Sequence, residues 1–353
     1  MGPRKGERGM ALLVVLLILA VMVIVAANMS GRLQIELRRT ANQVAGKQAW
    51  WYALSAEALV AKALAQDAKD NANVTHLGQY WARKETVFPV PDGQLKGEVR
   101  DLYGCFNLNS LEARIGGSNP NGGTNPNGGT NPDGSQPGGT ANPDDPLSQP
   151  LPAQAFRILL TELGMDEYDA VQLTDALRDW IDKDTVLVSS YGAEDAYYEG
   201  LNPPYLPANQ RLLSLSELRM VRGVTPDLYR KLSPYLCVRP DGELKVNVNT
   251  LAADQGALLT ALSLGKLPAD EAKRILTDRP RNGWKSSDEF LQLVPAWEQK
   301  ARASVVVKSE RFAARLVAEV GDSRAFLVSE FQREKDNKFK VVRRLQESGE
   351  TLK

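Results

Sequence analysis

The sequence predicts an α+β chain in which one long N-terminal helix packs on a small antiparallel sheet and a large helical region is inserted between the strands of that sheet. Three observations carry this. Helical periodicity runs without proline from an apolar stretch at Met10 to about Asp67, strand-like alternation occurs both at 94–109 and at 303–345, and the pattern between those two stretches is helical.

Residues 10–27 contain no charged or strongly polar side chain. Eighteen residues at ~1.5 Å rise make a helix of ~27 Å, close to the hydrocarbon thickness of a bilayer, so one membrane span is expected. Beyond it Leu33, Leu37, Val44, Ala49, Tyr52, Leu59 and Leu64 recur at helical spacing among Arg32, Arg38, Arg39, Lys47, Glu57 and Lys62. The span therefore continues from Asn28 to roughly Asp67 as one helix of about 55 residues, its second half lying on a sheet in a first core unit, 28–109. Trp50, Trp51 and Tyr52 are ~35 Å past Ala27, too far for a membrane-interface belt, and are expected to face that sheet.

Gln94–Leu102 and Cys105–Asn109 alternate as strands between the breakers Pro89, Pro91, Gly93 and Gly104. Residues 110–150 contain the tandem repeat NPNGGT at Asn119–Thr124 and Asn125–Thr130, a composition that buries no apolar surface and marks a flexible linker or exposed loop. A first helical lobe, 151–245, contains Ala155–Leu163, Tyr168–Ile181 and a helix pair, Leu215–Val221 and Pro226–Leu232, joined at Gly223. A second lobe, 246–303, contains Ala269–Leu276 and Ser287–Leu293. The lobes open alike, Phe106-Asn107-Leu108-Asn109-Ser110-Leu111 against Val246-Asn247-Val248-Asn249-Thr250-Leu251, which reads as a degenerate duplication. Residues 304–353 return to strands, with turns at Gly321-Asp322 and Asp336-Asn337.

Ahead of the span, Met1–Gly9 carries Arg4, Lys5 and Arg8 against Glu7, and no small-residue secretory cleavage site follows the apolar core. An uncleaved signal anchor would give the same topology. A basic leader closing on Gly9, followed by Met10-Ala11-Leu12-Leu13 and an unbroken apolar helix, resembles the class III signal of type IV pilins and type II secretion pseudopilins. The resemblance implies that a prepilin peptidase cuts after Gly9 and that Met10 becomes a methylated N-terminus. Pilins and most pseudopilins carry a glutamate at the fifth mature position, where this chain has Val14. That departure, together with a helical insertion of SAM-like, helix-hairpin-helix-like character in a pilin-like core, resembles the K-type minor pseudopilins. The resemblance implies a subunit at the periplasmic tip of the pseudopilus that helps initiate its assembly. Its implied partners are I-type and J-type minor pseudopilins, the major pseudopilin below them, the peptidase, the secretin and secreted cargo. Its implied location is the inner membrane, single-pass, with the bulk in the periplasm of a Gram-negative bacterium.

Asp179, Asp182, Asp184, Glu194 and Asp195 place five carboxylates within 17 residues around a loop, with Lys183 and Arg178 as the neighbouring cations. Read alone they are either helix caps with solvated charge or hard oxygen ligands for calcium; a glycosidase-like carboxylate pair has no sugar cleft to accompany it. The K-type resemblance favours structural calcium, held by Asp182, Asp184, Glu194 and Asp195, with Asp179 beside them. Cys105 and Cys237 lie downstream of the span, one at the strand entering the helical insertion and one near its return, so they are either a disulfide formed in an oxidising compartment or two separate thiols.

With 43 basic and 43 acidic residues there is no overall field to attract nucleic acid. The segment Arg222-Gly223-Val224-Thr225-Pro226 resembles a helix-hairpin-helix turn, the basis of an alternative reading as a membrane-anchored DNA-binding protein of an uptake machine. Glu217 and Asp227 flank it and a second glycine is missing, so packing without nucleic acid is expected. No motif joins His76, the sole histidine, to a nucleophile, and neither a phosphate-cradling loop nor zinc spacing occurs, so no enzyme is expected.

Overall fold

A computed structural model of the chain describes residues 8–83, 86–112 and 149–346. The NPNGGT repeats and most of the leader lie outside the described residues. Helix α1 spans Arg8–Asp70, 63 residues, and so is longer than the expected helix at both ends. Every described side chain from Met10 to Val44 is exposed, and this helix is long and apolar enough to cross a membrane. The remainder lies on the sheet through Ala49, Ala53, Ala56 and Leu64, all buried and, at intervals of four, three and eight residues, on one helical face. Their small side chains bring the helix backbone down onto Leu95, Phe312, Leu316, Leu327 and Phe331. Trp50 and Tyr52 pack partly against this core, but Trp51 is 66% exposed. Successive helical residues are ~100° apart, and with Ala49 and Ala53 inward, Trp51 points out.

The sheet has five antiparallel strands in the order β1-β2-β7-β8-β9. They are β1 (Thr86–Val90), β2 (Gly93–Asp101), β7 (Arg311–Val320), β8 (Ser323–Arg333) and β9 (Phe339–Gln346). Strand β7 alternates strictly between half-buried and buried residues, the signature of one face against a helix. Strand β9 is clasped to α1 by a bidentate pair in which Arg344 Nε and Nη2 donate to Glu57 at 2.7 and 2.8 Å.

Between β2 and β7 the chain builds a helical body. The alternation expected over 105–109 is a strand for only two residues, β3 (Phe106–Asn107), before a 3-10 turn at Leu108–Glu112. The helices are α2 (Leu151–Glu162), α3 (Glu167–Ile181), α4 (Asp195–Glu199), α5 (Pro226–Leu232), α6 (Gly256–Leu262), α7 (Ala269–Thr277) and α8 (Ser287–Gln292). Where a first hairpin helix was expected at 215–221 there is a 3-10 turn, Leu215–Met220, closed by a capping box of Ser214 and Glu217. Both lobes bury their apolar faces in one continuous core that includes Phe106, Phe156, Trp180, Leu258, Phe290 and Trp297.

The two similar openings perform the same structural task. Strand β3 pairs in parallel with β4 (Leu236–Cys237), and β5 (Val246–Asn247) pairs in parallel with β6 (Val305–Val306). Asn109 then clamps the backbone of Leu212, accepting from its N–H at 2.8 Å and donating to its carbonyl at 3.0 Å. Asn249 clamps Trp284 in the same way, at 2.8 and 2.9 Å. Each amide satisfies a donor and an acceptor that burial would otherwise leave without water.

Cys105 and Cys237 form a disulfide with a Cα separation of 5.8 Å, beside the β3–β4 pair. Nearby, the fully buried guanidinium of Arg239 donates to the carbonyls of Leu102, Glu243 and Lys245 and stacks on Tyr103, 4.2 Å from its ring centre. At the end of β2, buried Asp101 accepts from Ser309 Oγ at 2.5 Å, Thr250 Oγ1 at 2.6 Å and the Tyr103 N–H at 2.8 Å. These bonds tie the sheet to the helical body.

Candidate functional site

Helix α3 is capped at its start by Asp166, whose side chain accepts from the Asp169 N–H, and at its end by Asp182. Its last turns carry acids inward. Asp175 accepts from Arg157 at 2.8 Å and from Ser189 Oγ at 2.6 Å. Asp179, wholly buried, accepts from the backbone N–H groups of Val188 at 2.8 Å and Ala193 at 2.7 Å. Burial pushes the Asp179 carboxyl up to about 6, against the pull of those two N–H groups. The loop after α3 is thus wrapped around one carboxylate. At Gly192 any side chain would collide with it, a Cβ there falling 2.0 Å from Asp179 Oδ2.

This wrapping brings Asp182, Asp184 and Glu194 together, each offering one carboxylate oxygen within 4.8 Å of the others. Glu194 is 6% exposed, and both of its oxygens are buried without a hydrogen-bond partner. Burial, then the charges of Asp179, Asp182, Asp195 and Asp184, push its carboxyl up to about 8. A buried carboxylate with no donor, facing two further carboxylates, is unfavourable by itself and suited to a hard divalent cation. The two remaining expected ligands stand apart. Asp195 opens α4 and is not in the three-residue group, and both Asp179 oxygens hold backbone N–H groups, so Asp179 shapes the loop.

Arg222, at the hairpin, belongs to the same site. Its Nη1 donates to the Gly192 carbonyl at 3.0 Å and its guanidinium lies 4.7 Å from the Tyr197 ring centre. The other hairpin arginines are also engaged within the protein, Arg230 with Asp227 and Arg219 over Tyr229. Gly223 takes the left-handed backbone, with φ of 85°, that the turn requires. A hairpin whose arginines are turned onto its own fold presents little to a phosphate backbone. The role of Arg222 was not apparent from sequence, because its partners Gly192 and Tyr197 lie 30 and 25 residues away.

Two profiles described as type II secretion system protein K match residues 104–241 and 246–308. The chain belongs to the type II secretion system protein K family. It is 57% identical to the protein K of Aeromonas hydrophila over 98% of this chain and 99% of that protein. With the Pseudomonas aeruginosa protein K the identity is 33% over 97% and 93% of the two chains. The fold superimposes with a TM-score of 0.72 and 30% identity on a chain of the GspK-GspI-GspJ complex from enterotoxigenic Escherichia coli, covering 88% of this chain and all of that one. The protein K profiles divide at Val246, where β5 opens the second helical lobe. In this family member α1 is a candidate single-pass anchor, in which Gly9 and Met10 fall in the first helical turn and Val14 occupies an exposed position.

Proposed function

We propose that this protein K is a non-enzymatic minor pseudopilin that closes the periplasmic tip of the type II secretion pseudopilus and helps start its assembly. In this reading it is anchored in the inner membrane and contacts I-type and J-type minor pseudopilins beside it and the major pseudopilin below. From the tip it reaches the secretin or cargo. The observation that carries the reading is the uncovered length of α1. Leu37, Val44 and Trp51 are exposed at seven-residue intervals on a helix that makes no use of them internally. Seven-residue spacing is the seam of a helix that lies along another helix. The GspK structure it superimposes on is one of a complex with GspI and GspJ, which supports the same kind of partner here. The reading also places prepilin peptidase cleavage after Gly9 and methylation at Met10.

Calcium is the cation we assign to Asp182, Asp184 and Glu194, where it would fix the loop between α3 and α4; the support is the partnerless Glu194 carboxylate. The primary test is the intact mass of membrane-extracted protein made with and without a prepilin peptidase, followed by capture of the I-type and J-type subunits. Loss of residues 1–9 plus one methyl group, only with the peptidase, is expected. An unchanged N-terminus in both samples would refute the pilin pathway.

A further inference from the structure

A cavity of about 230 Å³ opens between α1, the turn at 80–83 and the β1–β2 hairpin. Ala56, Ala63 and Gly97 leave the space, and Trp81, Leu95 and Phe88 wall it. Its rim is unusual for a soluble surface, because Leu59, Tyr80 and Phe88 are 54%, 60% and 48% exposed around the apolar hollow. One cation stands there. Arg83 lines the mouth with its guanidinium 4.3 Å from the Tyr80 ring centre, and no described acidic residue pairs with it.

Two arguments select the occupant. The cavity lies below the usual range of about 300–1,000 Å³ for small-molecule sites, whereas a single leucine or phenylalanine side chain fits such a volume. Leu59 also belongs to the exposed length of α1 that bears Trp51, so a neighbour lying along that helix would cover the cavity as well. Well-packed interfaces concentrate their affinity in such a central apolar pocket. We infer that this cavity is a socket for an apolar side chain of the neighbouring minor pseudopilin, with an acidic group of that subunit placed against Arg83. The inference rests on the proposed role as a minor pseudopilin.

The test uses the full chain in detergent with its I-type and J-type partners. Ala63→Leu fills the hollow from the helix side, and Arg83→Glu reverses the charge on an exposed residue without touching the core. Each is expected to weaken the complex at least tenfold while leaving the thermal midpoint of the free chain unchanged. Should Ala63→Leu lower that midpoint, Arg83→Glu decides alone. Binding by Arg83→Glu within twofold of the unaltered chain would overturn the socket. So would a dodecanoate titration that changes tryptophan fluorescence in the unaltered chain, is abolished by Ala63→Leu and leaves the complex intact, since the occupant would then be a small amphiphile. Failure of the unaltered chain to bind either partner would instead remove the minor-pseudopilin reading and the socket with it.

Discussion

Replacing Glu194 by glutamine should have opposite effects with and without calcium. The substitution keeps the side chain's size and removes its charge. Two like charges 4.8 Å apart repel by about 1 kcal/mol at the dielectric of water and by about 3.5 kcal/mol at an effective constant of about 20. Glu194 faces two such neighbours, Asp182 and Asp184. In a chelator at pH 8.5, Glu194→Gln should therefore be more stable than the unaltered chain by roughly 2–4 kcal/mol. The sign follows from the titration: the folded carboxyl sits at about 8 against an ordinary 4.5, so its stabilising contribution is complete below 4.5 and is lost as pH rises to 8. The gap between the two proteins should narrow as pH falls across that window. Calcium at about a hundred times its dissociation constant would add ~2.7 kcal/mol to the unaltered protein and much less to the variant. Urea unfolding with chelator and with calcium, compared with magnesium, measures all of this. A variant that is less stable than the unaltered chain in chelator, or that gains as much from calcium, would refute the reasoning.

Three further outcomes are expected. Arg344→Ala breaks the bidentate bond to Glu57, where Arg344 and Ser329 outweigh burial and hold the carboxyl below its ordinary value. The stability that this clasp supplies is present above about pH 4.5 and is lost as pH falls through the lowered value, so acid titration should show a smaller loss for the variant. Asp101→Ala leaves the Ser309 hydroxyl and the Tyr103 N–H without their acceptor, and should cost about 2–5 kcal/mol in denaturant unfolding. Trp51→Ala removes an exposed side chain, so the free chain should keep its stability to within ~0.5 kcal/mol. Its binding to partner subunits, measured by co-purification, should fall.

Features written in continuous periodicity were legible in the sequence, and features made by distant pairing were not. Helix α1 is visible because nothing between Met10 and Asp67 interrupts it, and β7 and β8 because their burial alternates. The orientation of Trp51 was misjudged by treating three adjacent aromatics as one face, which helical geometry forbids. The two-residue strands β4 to β6 carry no alternation to detect. Asn109 and Asn249 were recognisable as related, but their tasks depend on Leu212 and Trp284, 103 and 35 residues away. Among the acids, proximity in sequence marked the segment but did not separate Asp182, Asp184 and Glu194, which converge, from Asp179, which is occupied by Val188 and Ala193.

The uncharged apolar segment of α1 has a consequence for timing. Between Gly9 and Gly31 the helix has no ionisable side chain, and its first acid is Glu36. A span bearing a carboxylate at position 14 would be strained in hydrocarbon until another chain supplied the counter-charge. As the proposed anchor, this one would need no counter-charge from a second chain. In the proposed role as a starting subunit, it would be available before any filament exists, for the others to gather on.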